Sequence, residues 1–345
     1  MRFASADEQK AFNGLLVKNP DGGSIFQSPT FLQVKQLQGW QLRLIISDNG
    51  IAFTALERRI PLFGKVWYIL GGPGVTEVES LRLFVDELFA FGASQKVVFI
   101  KLDPQVIKDA DTHMDKVPRL LKSPDIQFNT NTIVMDLSRS LDDIFASLNQ
   151  KGRNAIRRAE REGLRVESAD GSEDSFAKMY KLLGETAAGA GFSLKHQEYY
   201  HTYWSDLCRA GLGKFFFAYH DQEVVAAAFA MILGKNSVYK DGASVRNRPV
   251  YGASHLLQWH VIQWAKSAGS TRHDLCGAPP EHERENAKHP LYGIGLFKSQ
   301  FEKRITEYVG SYDLPIKPVR YKLWHLGLEK LVRKAYFMTH HQSFY

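Results

Sequence analysis

The stretch from Tyr251 to Pro315 constrains the fold most, because it sets a long amphipathic helix directly before a short polar strand. In YGASHLLQWHVIQWAKSAG, apolar residues recur at the three- and four-residue spacing of one buried helix face, and Gly269 ends the helix. These residues are Ala253, Leu256, Leu257, His260, Val261 and Trp264. The following TRHDLCGAPP predicts a short strand with Asp274 at its end, before a Gly/Pro-rich turn. Polar groups at strand ends commonly line a cleft.

The last part of this stretch carries the residue that we single out first as a candidate for catalysis, Lys298. In GLFKSQFEKRITEYVGSYDLP, Phe297 and Lys298 precede a predicted strand, Ile305 to Val309, of alternating polar and apolar character.

The elements before this stretch predict two mixed sheets. A polar, turn-rich segment between Leu120 and Ser140 separates two similar patterns. The second pattern runs helix, helix, three antiparallel strands, helix, strand, which is the outline of an N-acetyltransferase-like (GNAT) fold, and the first third looks like a shorter version. The chain shows no close sequence repeat. We therefore predict an α+β protein with two GNAT-like domains, each a mixed sheet flanked by helices.

Length and charge agree with this interpretation. A chain of 345 residues can bury two cores, and 44 basic against 37 acidic residues give a net charge of +7. That excess favours anionic partners, although it is also compatible with a merely well-solvated surface. Two distant cysteines, Cys208 and Cys276, fit a reducing cytoplasm. The sequence shows neither a signal peptide nor an apolar run of about 20 residues, so we expect a cytoplasmic protein.

Three further candidates remain ambiguous from spacing alone. Arg153, Arg157 and Arg161 recur every four residues on one helix face, which suits phosphate binding or a solvated helix equally well. Asp103 before Pro104 could be a general base, but its position favours a turn. Lys35 lies on a helix predicted from Pro29 to Leu37, in register with Phe31 and Leu32, and spacing alone favours a surface lysine.

Several chemistries lack their sequence signature. We expect no metal site, because Cys276, His282, Glu283 and His289 lack the short fixed spacing of zinc ligands. No nucleophile motif occurs, and GGPG at 71–74 is interpreted as a plain turn.

A coenzyme A loop is also not predicted. Before the long helix, SVRNRPVYGAS contains Pro249 after Arg248, which removes a backbone donor, and its glycine comes one place too late for the usual Arg/Gln-x-x-Gly-x-Gly/Ala loop. The acyl donor should therefore differ from acetyl-CoA.

Four parts of the chain carry a likeness to known proteins: IFQSPTFLQVKQLQGW, the LDP that ends a strand, LNQKGRNAIRRAEREGLRVE, and the segments from YGASHLLQ through FKSQFEKRITEYVGSYDLPIKP. In these parts the chain resembles the Fem-type aminoacyltransferases (FemX, FemA and FemB), which build peptidoglycan interpeptide bridges. The resemblance implies a first GNAT-like domain of residues 1–138 plus 313–345 that binds the precursor, and a second of residues 139–312. Without a predicted coiled-coil arm, the chain is most similar to the compact FemX type.

The resemblance also implies an activity and partners. Family members transfer an amino acid from aminoacyl-tRNA to the stem-peptide amine of a UDP- or lipid-linked muropeptide precursor, and they need no cofactor. We expect a monomer that can also meet the inner face of the membrane as a peripheral protein. Two alternatives stay open: an acyl-CoA-dependent N-acyltransferase of the GNAT type, and a noncatalytic protein that binds tRNA or the cell envelope.

Site residues are implied by the matching positions. Lys35 matches a lysine that contacts the precursor's diphosphate, and Tyr251 matches a tyrosine of the precursor groove. Phe297 and Lys298 match the Phe-Lys pair near the ester carbonyl, and Asp103 matches an aspartate considered as a base.

Lys195 with Tyr199 stands where the family has an arginine and a tyrosine four residues apart, so a bidentate contact becomes a point charge. The basic stripe, Arg153, Arg157 and Arg161, would face the tRNA. The segment SQFEK replaces the glycine-rich turn that usually follows the Phe-Lys pair.

Overall fold

The computed structural model describes residues 1–126, 130–190, 194–246, 250–340 and 344–345. The strands of these residues, in chain order, are β1 Arg2–Phe3, β2 Gln41–Ile46, β3 Ala52–Ile60, β4 Gly64–Ile69, β5 Val97–Leu102, β6 Leu121–Lys122, β7 Asn131–Thr132, β8 Val134–Asp136, β9 Arg165–Ala169, β10 Gly213–His220, β11 Glu223–Leu233, β12 Asn236–Ser244, β13 Arg272–Asp274, β14 Thr306–Glu307 and β15 Tyr312–Pro315.

The α-helices of the described residues are α1 Ala6–Lys10, α2 Phe12–Leu16, α3 Pro29–Leu32, α4 Val78–Ser94, α5 Leu141–Ser147, α6 Gln150–Arg161, α7 Glu173–Ala190, α8 Gln197–Arg209, α9 Ala253–Ser267, α10 Tyr292–Lys298, α11 Pro318–Leu323 and α12 Glu329–His340. Short 3₁₀ turns cover Ile25–Gln27, Gln33–Gln38, Met114–Lys116 and Glu281–Glu283, and a π-helical turn, Trp324–Leu328, joins α11 to α12.

The chain forms two compact units, the first made of Met1–Thr130 with Glu307–Tyr345 and the second of Asn131–Thr306. The predicted boundaries lie a few residues later at both crossings. They differ because β8 pairs with β13 in the sheet of the second unit, while β15, from its first residue Tyr312, pairs with β5 in the first.

In the first unit, the strand order is β1-β2-β3-β4-β5-β15-β6. The strands β1 to β4 are antiparallel neighbours, α4 connects β4 to β5, and β5 lies parallel to β4. Strand β15 returns to this sheet after the whole second unit and fills the position between β5 and β6. Residues of β5 are buried throughout, as expected for a strand covered on both faces.

In the second unit, the strand order is β8-β13-β12-β11-β10-β9. Strands β9 to β12 are antiparallel neighbours, α9 connects β12 to β13, and β13 lies parallel to β12. Side chains alternate across this sheet, so that Phe216 packs on Trp264 of α9 whereas Phe215 packs on Trp204 of α8. The same pattern of antiparallel strands, helix and parallel strand thus occurs in both units, which confirms the predicted mixed sheets flanked by helices.

Helix α9 is buried on more of its circumference than the sequence pattern predicts. It packs against α6 as well as against β10 and β11, so His255, Gln258 and Trp259 are buried in addition to the predicted stripe. His260 and Trp264, which the pattern placed on the buried face, are only partly buried. Two partners at different angles around the helix explain why no single stripe describes it.

Near Lys298, one helix was not predicted and one strand is shorter than predicted. Phe297 and Lys298 lie at the end of α10, a helix that was not predicted. The strand expected from Ile305 to Val309 is reduced to the two residues of β14. Beyond them, Tyr308 and Val309 donate backbone hydrogen bonds to the loop carbonyls of Thr130 and Val106.

Candidate active site

Lys298 is a buried lysine at the C-terminal end of α10, where its ammonium is fixed by backbone carbonyls. Its Nζ donates to the carbonyl oxygens of Cys276, at 2.7 Å, and Gly277, at 2.9 Å. The residue is 6% exposed, and burial lowers its pKa, while the neighbouring Cys276 and Asp274 act in the opposite direction. Both carbonyls belong to the loop directly after β13, so this cation is anchored to a strand end.

The strand end beside Lys298 is the point at which β12 and β13 separate. Their parallel register ends at Val238 and Asp274. Beyond it, Leu275 donates its N–H to Ile133 and Ala278 donates to Asn131, while β12 continues along β11. Two parallel strands that diverge leave an opening at their carboxyl ends, which is where ligands commonly bind in sheets with parallel strands.

The groups around this opening are titratable, and burial shifts the pKa of Asp274, Cys276 and Lys298 in the direction of the neutral form. Asp274 accepts a hydrogen bond from the N–H of Cys276, at 2.7 Å, and another from the Thr132 hydroxyl, and burial raises the pKa of its carboxyl. Burial also raises the pKa of the Cys276 thiol to about 12, so this cysteine is a protonated thiol near neutral pH. Of an ammonium's three donors, Lys298 uses two on carbonyls, and the third has no partner among the described residues.

The atypical segment after Lys298 has a packing role. Phe297 and Phe301 enclose the ring of His255 on α9, with ring-centroid distances of 5.0 Å and 5.9 Å. His255 Nε2 pairs with the Gln300 side-chain oxygen at 3.0 Å, and the Gln300 carbonyl accepts from the N–H of Asn149, the N-cap of α6. The sequence SQFEK therefore ties α10 to α6 and α9, and it involves His255 and Gln300, which sequence reasoning had missed.

A cavity of about 540 Å³ lies beside α10 within the second unit. Its volume falls in the range of small-molecule sites, roughly 300 to 1,000 Å³. One face of α10, formed by Tyr292, Gly295, Leu296 and Ser299, lines it. The polar residues Asn149, Arg284 and Lys303 also line it. No sequence motif marked this cavity, although most of its lining residues lie between 279 and 305.

Asp103, the candidate base, lies buried in the first unit. It is 1% exposed, and its two carboxylate oxygens each accept a hydrogen bond of 2.6 Å, one from the Tyr68 hydroxyl and one from the Ser311 hydroxyl. Burial raises its pKa, and the two hydroxyl donors partly offset that effect. A carboxylate occupied in this way is arranged to hold β5 to the segment before β15.

Lys35, the other candidate of the first unit, is 2% exposed in the 3₁₀ turn Gln33–Gln38. The interpretation from spacing, a surface lysine, was therefore wrong. The turn follows α3 directly, and a 3₁₀ segment rotates side chains differently from the α-helix assumed for 29–37, which explains the error.

Lys195 and Tyr199 form a contact at the start of α8. The ammonium lies 4.3 Å from the centroid of the Tyr199 ring, which is the geometry of a cation–π interaction. Burial lowers the pKa of Lys195 to about 8, and the charge of Lys240 acts in the same direction. Lys195 is thus a cation whose charge changes close to physiological pH.

Tyr251 lies beside α6, the helix that carries the basic stripe, on the surface of the second unit. Tyr251 is 50% exposed just before α9, and the Arg158 guanidinium lies 5.6 Å from its ring centroid. Arg157 and Arg161 are exposed on α6. Arg153 is instead turned toward its own chain, since its guanidinium donates to the carbonyls of Ala146 and Leu148 at the end of α5. The stripe therefore offers two exposed guanidinium groups and one that closes a helix end.

The start of α9 is closed by packing. Gly252, its N-cap, has φ +95°, and a Cβ at this position would lie 2.3 Å from the Ala155 carbonyl of α6. Arg248 and Pro249, which support the prediction of a missing coenzyme A loop, lie outside the described residues. Within the described ranges, no three His, Cys, Asp or Glu side chains cluster as metal ligands do. In the same ranges, every helix is too short or too polar to cross a bilayer.

Comparison with known proteins places this geometry in context. The sequence model of the FemAB family matches residues 8–206 and 209–328. The chain is 20% identical to the lipid II:glycine glycyltransferase of Staphylococcus aureus, over 89% of this chain and 91% of that protein. In structure it is similar to FemX, with a TM-score of 0.78 at 19% identity over 94% of this chain and 99% of that one. The L-PGS structure from Bacillus licheniformis is similar at a TM-score of 0.55 and 16% identity, over 92% and 93% of the two chains.

Proposed function

Since the chain belongs to the FemAB family, we propose that it transfers an amino acid from aminoacyl-tRNA to the stem-peptide amine of a peptidoglycan precursor. The protein is an aminoacyltransferase, and its Staphylococcus aureus relative is named for glycyl transfer involving lipid II. That name supports a lipid-linked precursor over a UDP-linked one as the acceptor. The observation that carries the proposal is the buried Lys298 ammonium, anchored where β12 and β13 separate.

The reaction requires little from the protein beyond positioning and charge stabilisation. The neutral acceptor amine attacks the ester carbonyl of the donor, a tetrahedral oxyanion forms, and the C–O bond to the tRNA ribose then breaks. The ribose hydroxyl leaves with a proton that the amine loses, and an amide remains. Lys298 has one N–H left to donate to the oxyanion, in a site where burial strengthens that interaction.

The acceptor-binding roles below are those that the family resemblance implies, and the roles of Phe297 and Asp103 follow from their contacts. We assign acceptor binding to Lys195 with Tyr199, to Tyr251 and to Lys35. Phe297 supports Lys298 by packing on His255. Asp103 positions the end of β5 against the segment before β15, because both its carboxylate oxygens already accept hydrogen bonds.

The donor would contact a different set of residues. Arg157 and Arg161 supply the cations for tRNA phosphates. Arg153 lies on the same helix, α6, and its guanidinium binds the carbonyls at the end of the preceding helix, α5. The cavity beside α10, with Arg284 and Lys303, would receive the terminal nucleoside of the tRNA.

The test compares two lysines of the second unit that both donate to backbone carbonyls. Lys298→Met removes the proposed oxyanion donor, and we expect kcat/KM for transfer to fall by about 10²- to 10³-fold. Lys266→Met is the matched control, because Lys266 Nζ donates to the Leu137 carbonyl at 2.9 Å on a helix away from the opening. Its activity should stay within a few-fold of the unchanged protein. Circular dichroism and thermal unfolding of both variants would establish that each is folded.

A folded Lys298→Met protein with full transfer activity would refute the role of Lys298. The activity itself is measured by mass spectrometry of muropeptides after incubation with charged tRNAs and with lipid-linked and UDP-linked precursors. An acyl-CoA-dependent enzyme would instead bind acetyl-CoA in calorimetry, and a noncatalytic protein would bind charged tRNA without modifying a muropeptide.

A further inference from the structure

The helices that end the first unit carry apolar side chains on their exposed faces. In α11 and the turn after it, Val319, Leu323 and Leu326 are 77%, 57% and 81% exposed. In α12, Leu331 and Met338 are 67% and 66% exposed and stand seven residues apart, on one face. Exposed leucines are common singly, but five such residues on consecutive helices form a pattern that requires an explanation.

The inner faces of these helices are already packed, so the exposed apolar residues are surplus to folding. Trp324 is 1% exposed and packs on Phe63 and Phe99, with ring centroids 5.1 Å and 5.6 Å apart. On α12, the Tyr336 hydroxyl donates to the Gln38 carbonyl at 2.8 Å, and the Arg58 guanidinium lies 4.7 Å from its ring centroid. These contacts fix which side of each helix faces outward.

The same outward faces are strongly basic. From Pro318 to His340, five lysines and arginines stand against a single acid, Glu329, a net charge of +4 out of the chain's +7. Arg320 and Arg333 are engaged within the unit, the first by the Phe63 carbonyl and the second by Glu329. Lys322, Lys330 and Lys334 are exposed beside the apolar residues.

We propose that the outward faces of α11 and α12 bind an anionic lipid surface. Leucine and methionine on a helix surrounded by lysine are the composition of helices that lie in a membrane interface, where the apolar residues enter the acyl boundary and the lysines meet lipid phosphates. Nucleic acid would satisfy the charge but not the exposed leucines. All of α12 lies beyond residue 328, where the match to the FemAB family ends.

The test uses the full chain and vesicles that contain no peptidoglycan precursor, so it is independent of the proposed function. Vesicles are pure phosphatidylcholine, or contain about one third phosphatidylglycerol. We expect co-sedimentation with the anionic vesicles only, weakened between about 0.1 M and about 1 M salt. Leu331→Glu/Met338→Glu should weaken this binding at least about tenfold.

The matched control, Leu62→Glu/Leu83→Glu, makes the same chemical change at two other exposed leucines of the first unit, 106% and 50% exposed. It should bind vesicles like the unchanged protein. The proposal is overturned if the unchanged protein does not prefer anionic vesicles or if both double variants bind equally. It is also overturned if analytical ultracentrifugation shows a dimer that Leu331→Glu/Met338→Glu dissociates, since a second copy would then occupy this face. Transfer to a water-soluble acceptor, measured in parallel, reports on the proposed function separately.

Discussion

The resemblance to the Fem-type enzymes implies an arginine at the position of Lys195, and a lysine there has a consequence for pH dependence. A guanidinium stays charged throughout the physiological range, whereas burial lowers the pKa of Lys195 to about 8. Below that pH the lysine is a cation and can attract the acceptor's phosphates. As the pH rises through about 8, this charge is lost.

We therefore expect the KM for the acceptor to rise about fivefold between pH 7 and pH 9, as one charge contact worth about 1 kcal/mol disappears. Lys195→Arg should remove this rise, because arginine remains protonated. Steady-state kinetics of both proteins across this range would measure it. Titration of the acceptor amine affects both proteins alike, so a KM profile that is the same in the two would contradict the assignment.

At the residue scale, the family resemblance proposed site residues whose role could not be decided from the spacing of residues alone. Lys298 was selected from its neighbourhood in the sequence, but the two carbonyls that hold it come from Cys276 and Gly277, which no spacing rule connects to it. For Asp103, spacing favoured a turn, and its bonded position agrees with a structural role better than with a base. Both side chains are buried, and burial depends on the whole fold rather than on the spacing of residues along the chain.

At the element scale, the contact between α6 and α9 depends on a glycine. Gly252→Ala should destabilise the protein by about 3 kcal/mol, since a Cβ would meet the Ala155 carbonyl at 2.3 Å in a left-handed conformation. Gly269→Ala, at the other end of α9, is the matched control, with φ +91° and nothing within 4 Å of its Cβ. It should cost only about 1 to 2 kcal/mol of conformational strain. Urea unfolding would measure both, and equal losses would show that the close approach is unimportant.

Element prediction succeeded where periodicity was long and failed where glycine dominated. Ser140 has a side chain that favours the N-cap position, and in the structure it caps α5 by accepting from the Asp143 N–H. Helix α10 was missed because Gly293 and Gly295 disfavour a helix in isolation. Gly295 is required by packing, since a Cβ there would lie 2.6 Å from Pro279. The tertiary contact therefore outweighs the local preference.

At the scale of the whole molecule, the second unit is one continuous segment, whereas the first is assembled from two. We expect a fragment of residues 131–306 to fold alone, and a fragment of residues 1–130 to remain without cooperative unfolding, because it lacks β15. Joining residue 130 to residue 307 by a short linker should restore folding of the first unit. The Tyr308 N–H donates to the Thr130 carbonyl at 2.8 Å, so these ends are adjacent.

Thermal unfolding followed by circular dichroism would compare the three fragments. A cooperative transition in residues 1–130 alone, equal to that of the joined fragment, would show that β15 is dispensable.

The placement of β15 also sets a timetable for synthesis. When Leu102 leaves the ribosome, one edge of β5 has no partner until Tyr312 emerges, a delay of about 10 to 40 s at ordinary elongation rates. During that interval an apolar strand edge is open to pairing with other chains. The nascent protein should thus depend on chaperones that shield strand edges, and its yield in cells should fall when translation is slowed between residues 103 and 311.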